Sequence, residues 1–199
     1  LSDDLYEHIV FDGTSFATLA QASPDLGARI LTVNGVSKSY AMTGWRIGFA
    51  GGPRRWIEGI GKIFTQSNGG PCSISQAAAI AALEGPQTFL KSWAQTYQRR
   101  RDVALAGLSR APGLACMPPA GAFYLLPNCA GVLGKTTPDG MRIETSTDFA
   151  NYLFASWGVV VIPGSGFGCD PYFRMSTATS LATIEAGTAR ISSACKALS

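Results

Sequence analysis

Two short apolar runs near the start of the chain indicate strands. Residues 29–34, RILTVN, are rich in β-branched and apolar side chains and end before Gly35, a pattern typical of a buried strand. Residues 46–51, RIGFAG, form a second short candidate, and the opening letters LSDDLY at 1–6 resemble the end of a further strand. We therefore expect a strand-loop-strand unit whose loop carries Lys38.

Helical periodicity follows these strands. A helix is predicted from Pro53, because its apolar residues fall near one face until the turn sequence SNGGP at 67–71. The pair Ser73 and Gln76 predicts a capping box for the next helix, and Gly85 predicts its end. Pro86 is available as the first residue of a third, long helix, and a helix of that length can connect two domains.

The second half of the chain alternates short apolar runs with two helical segments. The predicted strands are 114–117, 121–127, 159–163 and 172–176, and the predicted helices are 147–157 and 181–197. This arrangement is typical of an α+β domain. Residues 128–142 contain Gly, Thr and Pro without clear periodicity, which indicates a surface loop.

Composition narrows the class of protein. With 46% hydrophobic and 15% charged residues in 199, the chain is expected to fold rather than to be disordered, as one large or two small domains. The net charge is only +3, and the basic run at 99–101 is interpreted as a solvated helix face, so no nucleic-acid partner is expected. Five widely spaced cysteines predict neither a disulfide framework nor a metal site and favour a reducing, cytoplasmic location. No apolar run reaches the length of a membrane span.

Lys38 and Arg46 are the first candidates for chemistry. A partly buried lysine can act as a general base or form a Schiff base with a carbonyl. The planar fork of an arginine suits a phosphate or carboxylate, and we expect Arg46 to be buried with such an anion as its partner. Together they could bind one small molecule that carries both an aldehyde and a phosphate, as pyridoxal 5'-phosphate does. A surface lysine and a strand-edge arginine remain an alternative, because this spacing alone is a weak signal.

Four stretches, in order, resemble the class I and II aminotransferases, which are fold-type I pyridoxal-phosphate enzymes, and in particular their bacterial aspartate and aromatic aminotransferase branch. The stretches are SDDLYEHIVFDG at 2–13, SKSYAMTGWRIGF at 37–49, PPAGAFYLLP at 118–127, and VVVIPGSGFG with YFRMSTATS within 159–180. The resemblance implies an α/β fold. Residues 1–90 would be the C-terminal part of the large cofactor-binding domain, with a mostly parallel sheet, and residues 91–199 the smaller α+β C-terminal domain.

The resemblance also implies roles for five residues near the start of the chain. Lys38 would form the Schiff base with the cofactor and carry a proton between the substrate's α-carbon and the cofactor. Arg46 would hold the phosphate, with Ser37 as a second donor. Asp3 would pair with the pyridine nitrogen, and Tyr6 would donate to the phenolate oxygen of the ring.

Three further residues need separate assignment. Arg174 resembles the arginine that binds the substrate's α-carboxylate, and its alternative is a strand arginine paired with a structural acid. Asp4 is a rival for the pyridine role, but the family's spacing of three from aspartate to tyrosine selects Asp3. His8, the only histidine, is given no catalytic role.

The resemblance implies transfer of an amino group from an L-amino acid to a 2-oxo acid, with 2-oxoglutarate as the expected acceptor, in a cytoplasmic homodimer. Another fold-type I enzyme such as a β-lyase, or the aminotransferase-like domain of a transcription regulator, remains an alternative. Family members are roughly twice this length, so we expect the chain to be the C-terminal half of a larger enzyme. Gly35 departs from members that carry a phosphate-binding hydroxyl at this position.

Overall fold

The computed structural model describes all 199 residues, which divide into two compact units, Leu1–Ala94 and Gln95–Ser199. The first unit contains strands β1 (Ser2–Asp3), β2 (Thr32–Gly35) and β3 (Gly48–Gly51) and helices α1 (Leu19–Ala22), α2 (Arg54–Ser67) and α3 (Ser73–Glu84). Helix α4 (Thr88–Leu108) begins in the first unit and continues into the second. The second unit adds strands β4 (Tyr124–Leu125), β5 (Ile162–Pro163) and β6 (Phe173–Ser176) and helices α5 (Ser146–Trp157) and α6 (Leu181–Lys196).

The sheet of the first unit is mixed, in the order β1-β2-β3. Strand β1 runs parallel to β2, and β2 runs antiparallel to β3. At the end of β2, Gly35 pairs with Gly48, and a Cβ placed on Gly35 would lie 2.9 Å from the carbonyl oxygen of Ile47. The two strands therefore approach so closely beside the loop that only a glycine fits without a shift.

Helix α2 begins after Pro53, as predicted, and has no buried residue. Exposed apolar side chains of the helix are Ile57, Ile60, Ile63 and Phe64. Because an amphipathic helix normally buries such a stripe, the first unit presents an uncovered apolar surface.

The capping box predicted for α3 is wrong. Cys72 is the N-cap residue and Ser73 is already helical, so the Ser73 hydroxyl stands one position too late to cap the helix. The Gln76 side chain instead donates to the carbonyl oxygen of Pro71 at 2.9 Å. The predicted end of the helix at Gly85 is confirmed.

The second unit is built on an antiparallel sheet in the order β4-β6-β5. Helices α5 and α6 supply much of its core, whose largest fully buried side chains include Phe149, Phe173, Leu125, Ile143 and Ile184. The strands are shorter than predicted, and residues 114–117 form only an isolated bridge between Ala115 and Asn128. An apolar run makes a strand only where a partner strand lies in register.

Two surface predictions are wrong. Within 128–142 the side chains of Cys129, Val132 and Thr137 are buried, and a short 3-10 turn, Ala130–Val132, brings Val132 into the core. In the basic run, Arg101 is only 5% exposed, and its guanidinium donates to the carbonyl oxygen of Pro119 at 3.0 Å. Successive residues of a helix point about 100° apart, so three adjacent arginines cannot all lie on one solvated face. None of the helices is both long enough and apolar enough to cross a membrane.

Candidate functional site

Three of the candidate residues lie at the same end of the first unit's sheet. Asp3 ends β1, and Lys38 lies just after the end of β2, which runs parallel to β1. Arg46 comes two residues before β3, which runs in the opposite direction and starts opposite Gly35. The sheet topology therefore collects a carboxylate, an amine and a guanidinium at the carboxyl ends of β1 and β2.

Lys38 lies in a turn that is fixed by backbone hydrogen bonds. The N–H of Ala41 donates to the carbonyl oxygen of Lys38 at 3.1 Å, and the N–H of Met42 donates to that of Val36 at 3.3 Å. Lys38 and Ser37 are partly buried, and the next residue, Ser39, is 4% exposed. The lysine is thus held on an ordered turn with its neighbour packed inward.

Arg46 is exposed, which contradicts the expectation of a buried cation. Its backbone is left-handed, with φ 56° and ψ 47°, and its Nη1 donates to the carbonyl oxygen of Thr43 at 2.8 Å. A left-handed residue other than glycine costs about 1–2 kcal/mol, and such residues persist where the surroundings require them. The 3-10 turn Thr43–Trp45 leads the chain into this conformation and leaves the guanidinium open to an anion.

The two neighbouring aspartates face opposite ways. Asp3 is exposed and accepts a hydrogen bond from the N–H of Leu5 at 3.2 Å. Asp4 is 4% exposed; its Oδ1 accepts from the Ser2 hydroxyl at 2.7 Å, whereas its Oδ2 is buried without a hydrogen-bond partner. Because adjacent side chains of a strand alternate, Asp3 is the aspartate on the open side of the sheet. Tyr6 follows in a turn, with its carbonyl accepting from the N–H of Ile9 at 2.8 Å.

A hydrogen-bond network connects this Tyr6 turn to strand β2. The Asn34 side chain donates to the Glu7 carboxylate at 2.8 Å and accepts from the N–H of Gly35 at 2.7 Å. His8 lies 3.4 Å from the same carboxylate, and its ring meets that of Tyr40 edge-on at 6.4 Å. His8 therefore packs against the Tyr40 ring and lies beside the Glu7 carboxylate.

Tyr40, two residues after the lysine, connects the Lys38 turn to the helices. Its hydroxyl donates to Oε1 of Gln87 at 2.8 Å. The Nε2 atom of Gln87 contacts the carbonyl oxygens of Ala82, Leu83 and Gly85 at 2.9, 3.2 and 2.6 Å, so one side chain also caps the end of α3. Burial, and then the Glu7 carboxylate, raises the pKa of Tyr40 above its ordinary value of 10.0, and the hydroxyl stays protonated as a donor.

Arg174 belongs to the second unit, on the central strand β6. Its Cζ atom lies 4.6 Å from the ring centroid of Tyr124 and 4.6 Å from that of Phe167. The side chain is partly buried and forms no salt bridge. The alternative of a strand arginine paired with a structural acid therefore does not describe it.

The donor set of the first unit fits a specific kind of ligand. An exposed guanidinium and a serine hydroxyl are both suitable donors to a phosphate, a lysine amine suits an aldehyde, and a carboxylate suits a protonated ring nitrogen. All of these groups lie at one sheet edge, at the carboxyl ends of β1 and β2, a position where α/β proteins commonly bind ligands. These residues fit pyridoxal phosphate.

Sequence reasoning missed four participants: Tyr40, Gln87, Tyr124 and Phe167. Tyr40, Tyr124 and Phe167 lie inside the motifs that carried the resemblance, but their partners depend on strand register and helix docking. Gln87 lies just before α4, and in that segment only Pro86 indicated the start of a helix. A glutamine just after a helix-ending glycine was the one local hint of a cap.

Comparison with known proteins gives matches along the whole chain. The family described as "Aminotransferase class I and II" matches residues 1–191. The chain is 56% identical over 199 residues to an aspartate aminotransferase of Rhizobium meliloti (strain 1021), covering 100% of this chain and 48% of that protein. It is 48% identical to an aspartate/prephenate aminotransferase of Cereibacter sphaeroides, covering 100% of this chain and 50% of that protein. The chain thus spans about half the length of the curated relatives it matches.

Solved structures give the same result. The aspartate aminotransferase from Rhizobium meliloti superposes with a TM-score of 0.95 at 55% identity, over 98% of this chain and 49% of that one. The aromatic aminotransferase from Pyrococcus horikoshii OT3 superposes with a TM-score of 0.84 at 32% identity, over 98% of this chain and 50% of that one.

Proposed function

Because this chain belongs to the class I and II aminotransferases, we propose that the protein that carries it moves an amino group from an L-amino acid to a 2-oxo acid. Aminotransferases of this family depend on pyridoxal phosphate. The acceptor in the proposal is 2-oxoglutarate. The observation that carries the proposal is the meeting of Asp3, Lys38 and Arg46 at one sheet edge.

Each of these residues has one task in the proposal. Lys38 would hold the cofactor through its amine, and the same amine would carry the proton that leaves the substrate's α-carbon. Arg46 and Ser37 hold the phosphate. Asp3 keeps a proton on the ring nitrogen, and Tyr6 donates to the ring oxygen. When bound, pyridoxal phosphate supplies the aldehyde and the electron-withdrawing ring that this chemistry needs.

Arg174 binds the α-carboxylate in the proposal. Donor and acceptor, an amino acid and a 2-oxo acid, share that carboxylate, so one guanidinium serves both halves of the reaction. Its partly buried position without an acidic partner supports this role, because a neutralised arginine would attract a carboxylate less strongly.

We also assign residues 1–90 to the C-terminal part of a large cofactor-binding domain and residues 91–199 to a small domain. The exposed apolar side chains of α2 support the first assignment, because such a surface suits packing against the remaining part of a larger domain. A homodimer is part of the same proposal. The five free cysteines suit the proposed cytoplasmic location.

Borohydride reduction tests the lysine assignment. The protein that carries this chain is loaded with pyridoxal phosphate, reduced, digested and mapped by mass spectrometry, with Lys38→Arg as the matched control. We expect the pyridoxyl label on Lys38 in the parent and its loss from that peptide in the control. Label that stays on another lysine would overturn the assignment.

Spectroscopy tests the reaction class. Addition of an L-amino acid should convert the bound cofactor to its amine form, and 2-oxoglutarate should reverse the change. A β-lyase would release a 2-oxo acid without leaving the amine form behind, and that outcome would refute transamination.

A further inference from the structure

Arg174 is held by aromatic rings where a carboxylate would be the usual partner of a partly buried arginine. Tyr124 lies on β4 and Phe167 ends the 3-10 turn Gly164–Phe167, which follows β5. The Cζ atom of Arg174 lies 4.6 Å from the centroid of each ring, and the two rings come from the segments on either side of β6 in the sheet order β4-β6-β5. We propose that Tyr124 and Phe167 are positioning residues that fix the guanidinium of Arg174 and leave its charge available for a carboxylate.

Register explains how Tyr124 reaches Arg174. Tyr124 pairs with Ser176 on β6, and Arg174 lies two residues from Ser176 on the same face. Diagonal neighbours of this kind are within reach of aromatic and long side chains. Tyr124 is itself supported by the ring of Phe123, with 4.9 Å between centroids.

Backbone packing fixes the turn that carries Phe167. The turn that carries it starts at Gly164, whose N–H donates to the carbonyl oxygen of Tyr172 at 2.6 Å. A Cβ on Gly164 would collide with the carbonyl oxygens of Cys169 and Tyr172. The turn therefore packs directly against the chain leading into β6, and its position relative to Arg174 is fixed by backbone contacts.

The choice of rings has an electrostatic consequence. An aromatic face attracts a cation through its quadrupole but carries no net charge, so it stabilises the guanidinium without neutralising it. An acidic partner would occupy N–H donors and cancel the charge. The rings leave the guanidinium without an acidic partner, and its N–H donors can pair with a carboxylate in two parallel hydrogen bonds.

The rings also reduce the entropy lost on binding. A free arginine side chain carries rotamer freedom that it must give up to form two well-aligned hydrogen bonds. A guanidinium that already contacts two rings has lost part of that freedom before the substrate arrives. Loss of one ring should therefore weaken carboxylate binding about fivefold, which corresponds to the cost of about 1 kcal/mol for immobilising one flexible side chain on binding.

Kinetics of the protein that carries this chain provide the first test, which rests on the proposed aminotransferase function. The variants are Tyr124→Leu and Phe167→Leu, with Tyr124→Phe and Phe167→Tyr as controls that keep a ring. The probes are L-phenylalanine and 2-phenylethylamine, the same amine without the carboxylate. We expect each Leu variant to raise KM for phenylalanine about fivefold with kcat nearly unchanged, since ground and transition states use the carboxylate equally.

The amine and the ring-keeping variants decide between positioning and mere packing. Conversion of the cofactor by 2-phenylethylamine should be the same in parent and Leu variants, and Tyr124→Phe should behave like the parent. Equal slowing with both probes, or equal damage from Tyr124→Phe and Tyr124→Leu, would mean that the rings act only by supporting the fold. Unchanged kinetics in both Leu variants would also overturn the proposal.

Nuclear magnetic resonance tests the same idea without cofactor or activity. In the ¹⁵N-arginine-labelled protein that carries this chain, prepared without cofactor, rotation about the Nε–Cζ bond of Arg174 should be slower than that of exposed Arg46. The rotation should accelerate in Phe167→Leu, a change at a 52% exposed residue that leaves the core intact. Equal rotation rates in parent and variant would refute the positioning role, whereas absent transamination in the parent would refute only the proposed function.

Discussion

Tyr40 and Gln87 form a joint between the Lys38 turn and the end of α3, and their coupling can be measured. Gln87 has two amide hydrogens, so it can satisfy two of its three carbonyl neighbours well at any moment, and it also accepts from Tyr40. At about 1 kcal/mol net for each hydrogen bond, Gln87→Ala should lower the local unfolding free energy by about 2–3 kcal/mol. Tyr40→Phe removes a single bond and should cost about 1 kcal/mol.

Hydrogen exchange is the suitable assay, because a chain of two units need not unfold in one step. Two amides report on the two sides of the joint: Gly85, which donates to Ala81 at the end of α3, and Met42, which donates to Val36 beside the lysine. Gln87→Ala should speed exchange at both amides. Tyr40→Phe should speed exchange mainly at Met42, by about fivefold.

A double-mutant cycle isolates the bond itself. If Tyr40 and Gln87 act together, the double variant should cost about 1 kcal/mol less than the sum of the single variants. Gln76→Ala is the control, because it removes a similar side-chain bond at the opposite end of α3 and should leave Met42 unchanged. If the free-energy effects of Tyr40→Phe and Gln87→Ala are additive, the idea that α3 holds the Lys38 turn through this bond is refuted.

Three further outcomes follow from the structure. Gly35→Ser should cost about 1–3 kcal/mol in unfolding free energy, because its Cβ would press on the Ile47 carbonyl oxygen; unchanged thermal unfolding would contradict the close approach of the strands. In the native protein at pH 8, a thiol reagent should label exposed Cys72, whose pKa is lowered by the N–H groups at the start of α3. Cys129 should not react, because burial raises its pKa to about 11. Equal labelling rates at the two cysteines would refute this expectation. Hydrogen bonds in the α5 cap, that from the Thr145 hydroxyl first, lower the pKa of Asp148 below its ordinary value of 3.8. The ionised Asp148 therefore stabilises the folded state above pH 3.8, and this stabilisation disappears as the pH falls through the lower pKa of the folded state. Asp148→Asn should remove that part of the acid dependence of the unfolding free energy in urea titrations.

Local signals in the sequence were sufficient where a single residue determines the outcome. Gly85 ends α3 as predicted, and a Cβ at this position would lie 2.6 Å from the carbonyl oxygen of Ala81, so the close approach of the backbone favours a glycine there. The start of the same helix was misplaced by one residue, since Ser73 and Gln76 have the spacing of a capping box, but the backbone makes Cys72 the N-cap residue. The lysine-bearing loop between β2 and β3 was also predictable from two apolar runs.

Features that depend on register or on distant partners were not predictable. Arg101 reads as one member of a basic run, and only the docking of α4 shows that it is buried against Pro119. Arg46 was expected to be buried, yet burial depends on what covers it, which no local pattern contains. The pairing of Tyr124 with Ser176 decides that a tyrosine without an assigned role touches Arg174, and a shift of one residue would turn it to the other face.

The uncovered apolar stripe of α2 affects how the isolated chain should behave in solution. Helix α2 has no buried residue and exposes Ile60, Ile63 and Phe64 to water. The isolated chain should therefore self-associate as its concentration rises. Hydrophobic association weakens on cooling. Aggregates of the purified chain should therefore form on warming and partly redissolve in the cold, and light scattering over a temperature cycle would show it.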